Sequence, residues 1–352
     1  MFFPKKKEVI GIDIGSSSVK LVQLKEQKGD WQLVNVGILP LPTEAIVDNT
    51  LMDSSAIVEA VKSLVTSLKI KVKEVACSIS GNAVIIRKIK LPSMPPEELE
   101  DQIRWEAEQY IPFDINDVNI DFQILDPDLD DPSRMNVLLV ASKKEIINDY
   151  VNVFAESGLK LMIVDVDSFA VQNIYELNYE PAPEEVVALI NVGASILNLN
   201  VVKGGVSLFT RDVQMGGNLY TEEIQKQFGL SGDEAEQVKV TGEYADQARL
   251  QEVIARVNET LSVEIRRSLD FYNTTSGGEG KIATVFLSGG GAKTAQLAET
   301  VEGKLGIPVA MLDPLRRIAA SEKEFDPDYL QEIGPLVTVA LGLATRRVGD
   351  KW

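Results

Sequence analysis

The chain has 352 residues, 45 % of them hydrophobic and 25 % charged, the make-up of a folded protein with room for more than one core. A net charge of −18 argues against nucleic acid as the main partner, because neutralising phosphates takes clustered Lys and Arg. There is no His, which removes imidazole acid–base chemistry, Ser-His triads and imidazole metal sites, and the single Cys77 excludes an internal disulfide and fits a reducing compartment.

Met1-Phe2-Phe3-Pro4-Lys5-Lys6-Lys7 passes straight into a strand without the apolar stretch of a signal peptide. No segment reaches the ~20 apolar residues of a membrane span, so the expected location is the cytosol unless something tethers the chain. This start reads as a frayed basic terminus in preference to a lipid contact through Phe2 and Phe3. A meander of strands follows over residues 9–40, with turns at Gly29-Asp30 and Pro40-Leu41-Pro42. A helix opens at Ser54 or Ser55, and Ile57, Val58, Val61, Leu64, Val65 and Leu68 form one buried stripe on it. Residues 72–79 read as a buried strand, in which Cys77 is packing rather than a nucleophile.

The pattern changes over residues 81–158. A strand over 83–91 ends at Pro92, and Pro95-Pro96-Glu97-Glu98 starts a helix, with proline and acidic residues suited to a first turn. That helix is expected to bury Leu99, Ile103, Ala107 and Tyr110 and to stop at Pro112. Trp105 lies about 200° around it from Ile103, off the buried stripe. An anchor for a partner and packing on a neighbouring strand both remain open for it. A strand over 118–125, an acidic loop over 126–133, a strand over 136–141 and a helix over 143–157 complete a small α+β unit that reads as an insertion in a larger domain. A strand over 159–166, a helix over 168–177 and the linker Glu180-Pro181-Ala182-Pro183 close the first half.

The second half opens on a repeat. The segment from Ile10 to Val19, with Asp13, Gly15, Ser16, Ser17 and Ser18, returns from Ala188 to Leu197, with Asn191, Gly193, Ala194 and Ser195. Gly15 and Gly193 lie 178 positions apart, as do Ile12 and Ile190, Ser17 and Ser195, and Leu21 and Leu199. Each copy reads as strand, glycine turn, strand, and small residues at the turn let backbone amides approach an anion such as phosphate. Two such hairpins facing each other would hold a polyphosphate from both sides. A mostly helical stretch follows over 217–276, then the glycine-rich loop Ser276-Gly277-Gly278-Glu279-Gly280. Val285-Phe286-Leu287-Ser288-Gly289-Gly290-Gly291-Ala292 reads as a strand running into a glycine turn and a helix, whose N-terminus favours negative charge. The last helix, over 334–347, is rich in Leu, Val, Ala and Gly, and its small residues point to close packing against another element.

Five separated segments in this order, 11–16, 165–175, 191–195, 287–292 and 334–347, resemble the actin-like ATPase superfamily. The implied fold is α/β: an actin-like ATPase with two duplicated ribonuclease-H-like halves and an inserted α+β subdomain in the first half. The expected division places 1–80, 159–180 and 334–352 in the first core, 81–158 in the insertion, 184–216 and 281–333 in the second core, and 217–280 in a helical subdomain over the nucleotide. The resemblance implies ATP and Mg²⁺. Asp13 would hold the metal through water. Gly15, Ser16, Ser17, Ser18 and Lys20 would form the first phosphate loop, and Gly193, Ala194 and Ser195 the second, with Gly216 and Gly217 beside them. Gly289, Gly290 and Gly291 would form the adenosine motif, Glu236 and Lys239 would grip ribose and adenine, and Asp167 would orient the attacking water. Asn191 departs from the superfamily, where a second Asp is usual. An amide there removes a charge, so nucleotide binding with slow or absent turnover is expected.

Within that superfamily the chain resembles the PilM family of type IV pilus assembly, relatives of the division protein FtsA. The residues that carry this are Leu91-Pro92, Pro96-Glu97-Glu98-Leu99, the run from Glu106 to Phe113 and Val213-Gln214-Met215-Gly216-Gly217-Asn218. The resemblance covers essentially the whole chain. It implies binding of the cytoplasmic N-terminal tail of PilN in a groove beside the insertion, and through PilN a peripheral place at the inner membrane, in twitching motility. PilO through PilN, the motor ATPases, the platform protein and a homo-oligomer are further partners it admits. The stretch from Arg346 to Trp352 does not resemble the amphipathic membrane helix of FtsA. The competing readings are a small-molecule kinase of this fold and a polymerising cytoskeletal ATPase. A chaperone is poorer, because no substrate-binding β domain follows.

Overall fold

The computed structural model describes residues 8–127, 131, 133–275 and 280–350. The basic start, part of the acidic loop at 126–133, most of the glycine-rich loop at 276–280 and the last two residues lie outside the described residues.

Strands β1 (Ile10–Ile14), β2 (Ser18–Gln27) and β3 (Asp30–Pro40) form an antiparallel meander. A short ribbon of β4 (Ile46–Val47) and β5 (Thr50–Leu51) precedes α1 (Ser54–Ser67) and β6 (Glu74–Ile79). The Asp53 carboxylate caps α1 by accepting the Ala56 N–H at 3.0 Å, and the helix buries Ile57, Val58, Val61 and Leu64 of the stripe read from the sequence, with Val65 and Leu68 only partly buried. Next come β7 (Val84–Pro92), α2 (Pro96–Ala107), β8 (Val118–Pro127), β9 (Arg134–Lys143) and α3 (Lys144–Glu156), then β10 (Lys160–Val166) and α4 (Asp167–Tyr179). The second half contains β11 (Val186–Val192), β12 (Leu197–Lys203) and β13 (Val206–Val213), followed by α5 (Asn218–Phe228), α6 (Gly232–Thr241) and the long α7 (Gln247–Thr275). It ends with β14 (Thr284–Ser288), α8 (Leu297–Leu305), β15 (Val309–Met311), β16 (Ile318–Ala319), α9 (Pro327–Ile333) and α10 (Thr338–Ala344).

The two large sheets share one plan. The first runs β10-β6-β1-β2-β3 with β16 added at its edge, and the second runs β15-β14-β11-β12-β13. In each, the first three strands are antiparallel and the two following strands pair in parallel beyond the first. The repeat extends to single hydrogen bonds. The Gly15 N–H donates to the Ser18 carbonyl at 3.1 Å, and the Gly193 N–H donates to the Ile196 carbonyl at 2.9 Å, at the same offset of 178.

Between the halves lie α4 and α10. A Cβ on Gly342 would overlap the Ala170 carbonyl oxygen of α4, and one on Gly11 would overlap the Ala340 carbonyl oxygen. The small residues of the last segment therefore do what their size suggested: they bring α10 into backbone contact with β1 and α4. The helix expected over 334–347 is nevertheless broken. Gly334–Val337 is a single tight turn and α10 occupies only its middle part, because Pro335 cannot continue a helix from α9.

The third sheet, β7-β9-β8, has a core of its own in which Ile89, Leu91, Val137 and Leu139 meet Leu99, Ile103 and Ala107 of α2. Tyr110 is off that face and partly exposed, because α2 ends at Ala107. Helix α3 buries Tyr150, Val153 and Phe154 in the core under the first large sheet and not in this one. The separately packed module is thus built from residues 84–143. Cys77 is fully buried, as packing requires, and burial pushes its thiol pKa well up.

Candidate nucleotide cleft

Between the halves opens a cleft of about 380 Å³, within the range of small-molecule sites. Asp13, Gly15, Ser16, Ser17, Ser18 and Lys20 line it from the first half, and Asn191, Gly193, Ala194 and Ser195 face them from the second. Asp167, Gly217, Glu236, Lys239, Gly289, Gly290 and Gly291 complete the wall. Of the residues singled out from the sequence, only Gly216 does not reach the cleft. It lies behind the second loop, where a Cβ would come within 2.6 Å of the Ala194 carbonyl oxygen.

The hairpin turns meet: the hydroxyls of Ser16 and Ser195 are hydrogen-bonded at 2.8 Å, across 179 residues of chain. The Asn218 amide adds a bond to Ser195 at 3.1 Å. The glycines are required by proximity. A Cβ on Gly291 would stand 2.6 Å from Val192 Cγ1, and Gly289 has a positive φ of 87° with the Asn191 side-chain oxygen beside it. The expected helix N-terminus directly after these glycines is absent. Gly290–Lys293 is one tight turn, and α8 starts only at Leu297. Two other helices open at the cleft instead: α4 at Asp167 and α5 just after Gly217.

Three acid–base pairs line the cleft. Lys20 pairs with Asp13 at 3.1 Å, directly opposite it in the β1–β2 register. Lys239 pairs with Glu236, whose carboxylate also accepts the Thr221 hydroxyl at 2.6 Å. Lys293 stands 3.9 Å from the Glu332 carboxylate. Asp167 is partly buried on the cleft wall, and desolvation followed by the Asp13 carboxylate raises its pKa to about 7, against the lowering effect of the Ser78 and Ser80 hydroxyls.

Asn191 and Asn198 stand where the first copy has Asp13 and Lys20. Here an amide pair replaces an ion pair. Asn191 Nδ2 donates to Asn198 Oδ1 at 3.2 Å, and Asn191 Oδ1 accepts the Ser288 hydroxyl at 3.2 Å. Asn198 also lines the cleft, with Asn49, Tyr150, Lys293, Thr294 and Glu332, none of which the sequence reading singled out. Only Asn198 had an available signal, being Lys20 shifted by 178; the others come from elements outside the repeat.

The donor set fits a nucleotide with a magnesium ion. Among the described residues no group of three acidic, Cys or His side chains could coordinate a metal. Mg²⁺ keeps several of its waters and is commonly held by one or two carboxylates beside the phosphates. Asp13 is the carboxylate in position.

A second cleft of about 470 Å³ lies where the inserted module meets α4, lined by Gln123, Leu138, Phe169, Gln172, Asn173 and Arg346 among others.

Two halves of one topology, facing hairpin turns and a paired crossing of helices define the actin-like ATPase fold. Ethanolamine utilization protein EutJ from Carboxydothermus hydrogenoformans shares it (TM-score 0.60, 15 % identity, 96 % of this chain and 89 % of that one), as does MreB5 of Spiroplasma citri, solved bound to ADP (TM-score 0.54, 13 % identity, 96 % and 95 %). The chain belongs to the PilM family of type IV pilus assembly proteins, whose family model matches residues 11–348. It is similar to a chain of the solved PilM–PilN type IV pilus biogenesis complex at 31 % identity and a TM-score of 0.87, over 98 % of this chain and 100 % of that one.

Proposed function

We propose that this pilus assembly protein is an ATP-binding adaptor with slow or absent hydrolysis, which receives the cytoplasmic tail of a PilN-type inner-membrane protein beside its inserted module. The observation that carries the nucleotide reading is the hydroxyl contact between Ser16 and Ser195, which puts two phosphate-loop-like turns face to face. The main-chain amides and hydroxyls of Ser16, Ser17, Ser18 and Ser195 would hold phosphates, and Lys20 would neutralise them. Asp13 would hold Mg²⁺ through water, and the metal would supply charge neutralisation along the phosphates. Glu236 and Lys239 would meet the ribose and base. Asp167, its pKa raised to about 7, would orient an attacking water and could take its proton, since a base near the working pH suits that role. Asn191 supplies no second charge. That missing charge favours binding over turnover.

The second cleft is the proposed seat of the tail, because it adjoins the inserted module and the solved relative of this chain forms a complex with PilN. Attachment to the inner membrane would follow through that partner. Among the described residues no helix is long and apolar enough to cross a membrane. A fluorescent peptide with the N-terminal sequence of a PilN-type protein, titrated with and without Mg-ATP, tests the proposal. Saturable binding that Gln123→Arg weakens at least tenfold supports it, and no binding in either state rejects it. Light scattering that stays flat with Mg-ATP distinguishes an adaptor from a filament-former.

A further inference from the structure

Behind the nucleotide cleft a chain of side-chain hydrogen bonds leaves the second half and enters the first. It starts at Ser288 Oγ, which donates to Asn191 Oδ1 at 3.2 Å, and passes from Asn191 Nδ2 to Asn198 Oδ1 at 3.2 Å. Asn198 Nδ2 then donates to Asp212 Oδ1 at 2.9 Å. The other oxygen of Asp212 accepts the main-chain N–H of Gly81, 131 residues away in the other half. Asp212 itself does not line the cleft, while Asn191 and Asn198 do.

Gly81 is a special point of the chain. It follows β6 at the entrance to the inserted module and has φ +60°, a conformation that glycine adopts without strain. A Cβ there would stand 3.0 Å from Ile196 Cδ1, on the second phosphate-loop-like turn. Asn49, a cleft residue of the first half, donates to the Ser80 carbonyl at 2.6 Å. The Ser80–Gly81 junction is therefore held from both halves at once. Asp212 is partly buried, and its two acceptor oxygens are shared between one donor of each half. A rotation of the halves apart removes the Gly81 donor and leaves a partly buried carboxylate one partner short, an unfavourable state. The bond therefore distinguishes two arrangements sharply.

We propose that Asp212 is a coupling residue: through Asn191, Asn198 and the Gly81 N–H it ties the position of the inserted module to occupancy of the nucleotide cleft. This deepens the proposed function and rests on it, since a ligand that bridges the halves favours the arrangement in which the Gly81–Asp212 bond is made. A coupling claim requires a two-state element that both sites bias, and the junction at Gly81 is that element.

The test is amide hydrogen exchange at Gly81, resolved by NMR on the full chain, with and without Mg-ATP, in wild type and in Asp212→Asn. The variant keeps the shape, but its one remaining acceptor oxygen serves only one of the two donors. In wild type Mg-ATP slows Gly81 exchange by about tenfold or more. In Asp212→Asn the ATP affinity stays within about threefold of wild type, while Gly81 exchanges at the same rate with and without ATP. A purely structural role would speed exchange equally in both states and keep the ATP effect; that result overturns the proposal. So does a wild type that binds ATP without protecting Gly81, a measurement that needs no folded variant. A wild type that binds no ATP overturns the nucleotide reading first and the coupling with it.

Discussion

At the scale of the residue, the informative change is a pair and not a single position. Asp13 opposite Lys20 in the first hairpin becomes Asn191 opposite Asn198 in the second, so loss of the carboxylate came with loss of its counter-ion. Asn191→Asp restores a charge where the superfamily has one, and Mg-dependent ATP hydrolysis is expected to rise at least about tenfold, measured as phosphate release. The same change sets a carboxylate against Asn198 Oδ1, so a loss of about 1–3 kcal/mol in urea stability is expected with it. Hydrolysis no faster than wild type would remove Asn191 as the explanation of the proposed slow turnover. Asp167 gives a pH prediction. The folded state holds its proton up to about pH 7, whereas the unfolded chain releases it near ~4. Between those values the folded state binds more protons, so stability falls as pH rises through the window, by up to about 1.4 kcal/mol per unit, and levels off above it. Asp167→Asn should remove that share of the slope in thermal melts from pH 4.5 to 8. Asn191 was legible because the repeat put it beside Asp13. Asp212 was not, because its partners lie on another strand and in the other half, and no local pattern marks such contacts.

At the scale of the element, periodicity located α1 and α2 well, since each buries one face and has a clear start signal. Boundaries that depend on tertiary neighbours were less visible. Helix α3 follows the inserted strands in sequence yet packs on the first large sheet, and its apolar face would read the same for either destination. Trp105, off the buried stripe of α2, is 78 % exposed, so it is not packed on a strand and is free to meet a partner. Trp105→Ala should leave the melting temperature within about 1–2 °C of wild type. A loss of tail-peptide binding in that variant would give Trp105 the role of an anchor. Gly342→Val is the opposite case: with the Ala170 carbonyl already in the way of a Cβ, a loss of more than about 3 kcal/mol is expected in denaturant titration, or no soluble protein.

At the scale of the whole molecule, two sheets of matching topology were implied by twenty residues of internal similarity, because a strand–turn–strand repeat at a fixed offset is hard to produce outside a duplicated fold. The angle and contact of the halves were not implied, since they depend on the glycine packing of α10. A ligand that touches both halves should stabilise the whole chain. Mg-ATP at about one hundred times its dissociation constant is expected to add about 2.7 kcal/mol, seen as a concentration-dependent rise in melting temperature. Gly193→Val, whose Cβ would stand 2.9 Å from the Ile196 carbonyl oxygen, should abolish that rise.

The backbone contact of Gly342 with Ala170 works as a rivet. With no side chain between them, α10 and α4 have no room to slide past each other, so any relative movement of the halves is expected to leave this pair of helices together. The Arg346–Asp165 pair beside it would then move least, and the tips of α6 and of the β7–β9 module, farthest from it, would move most.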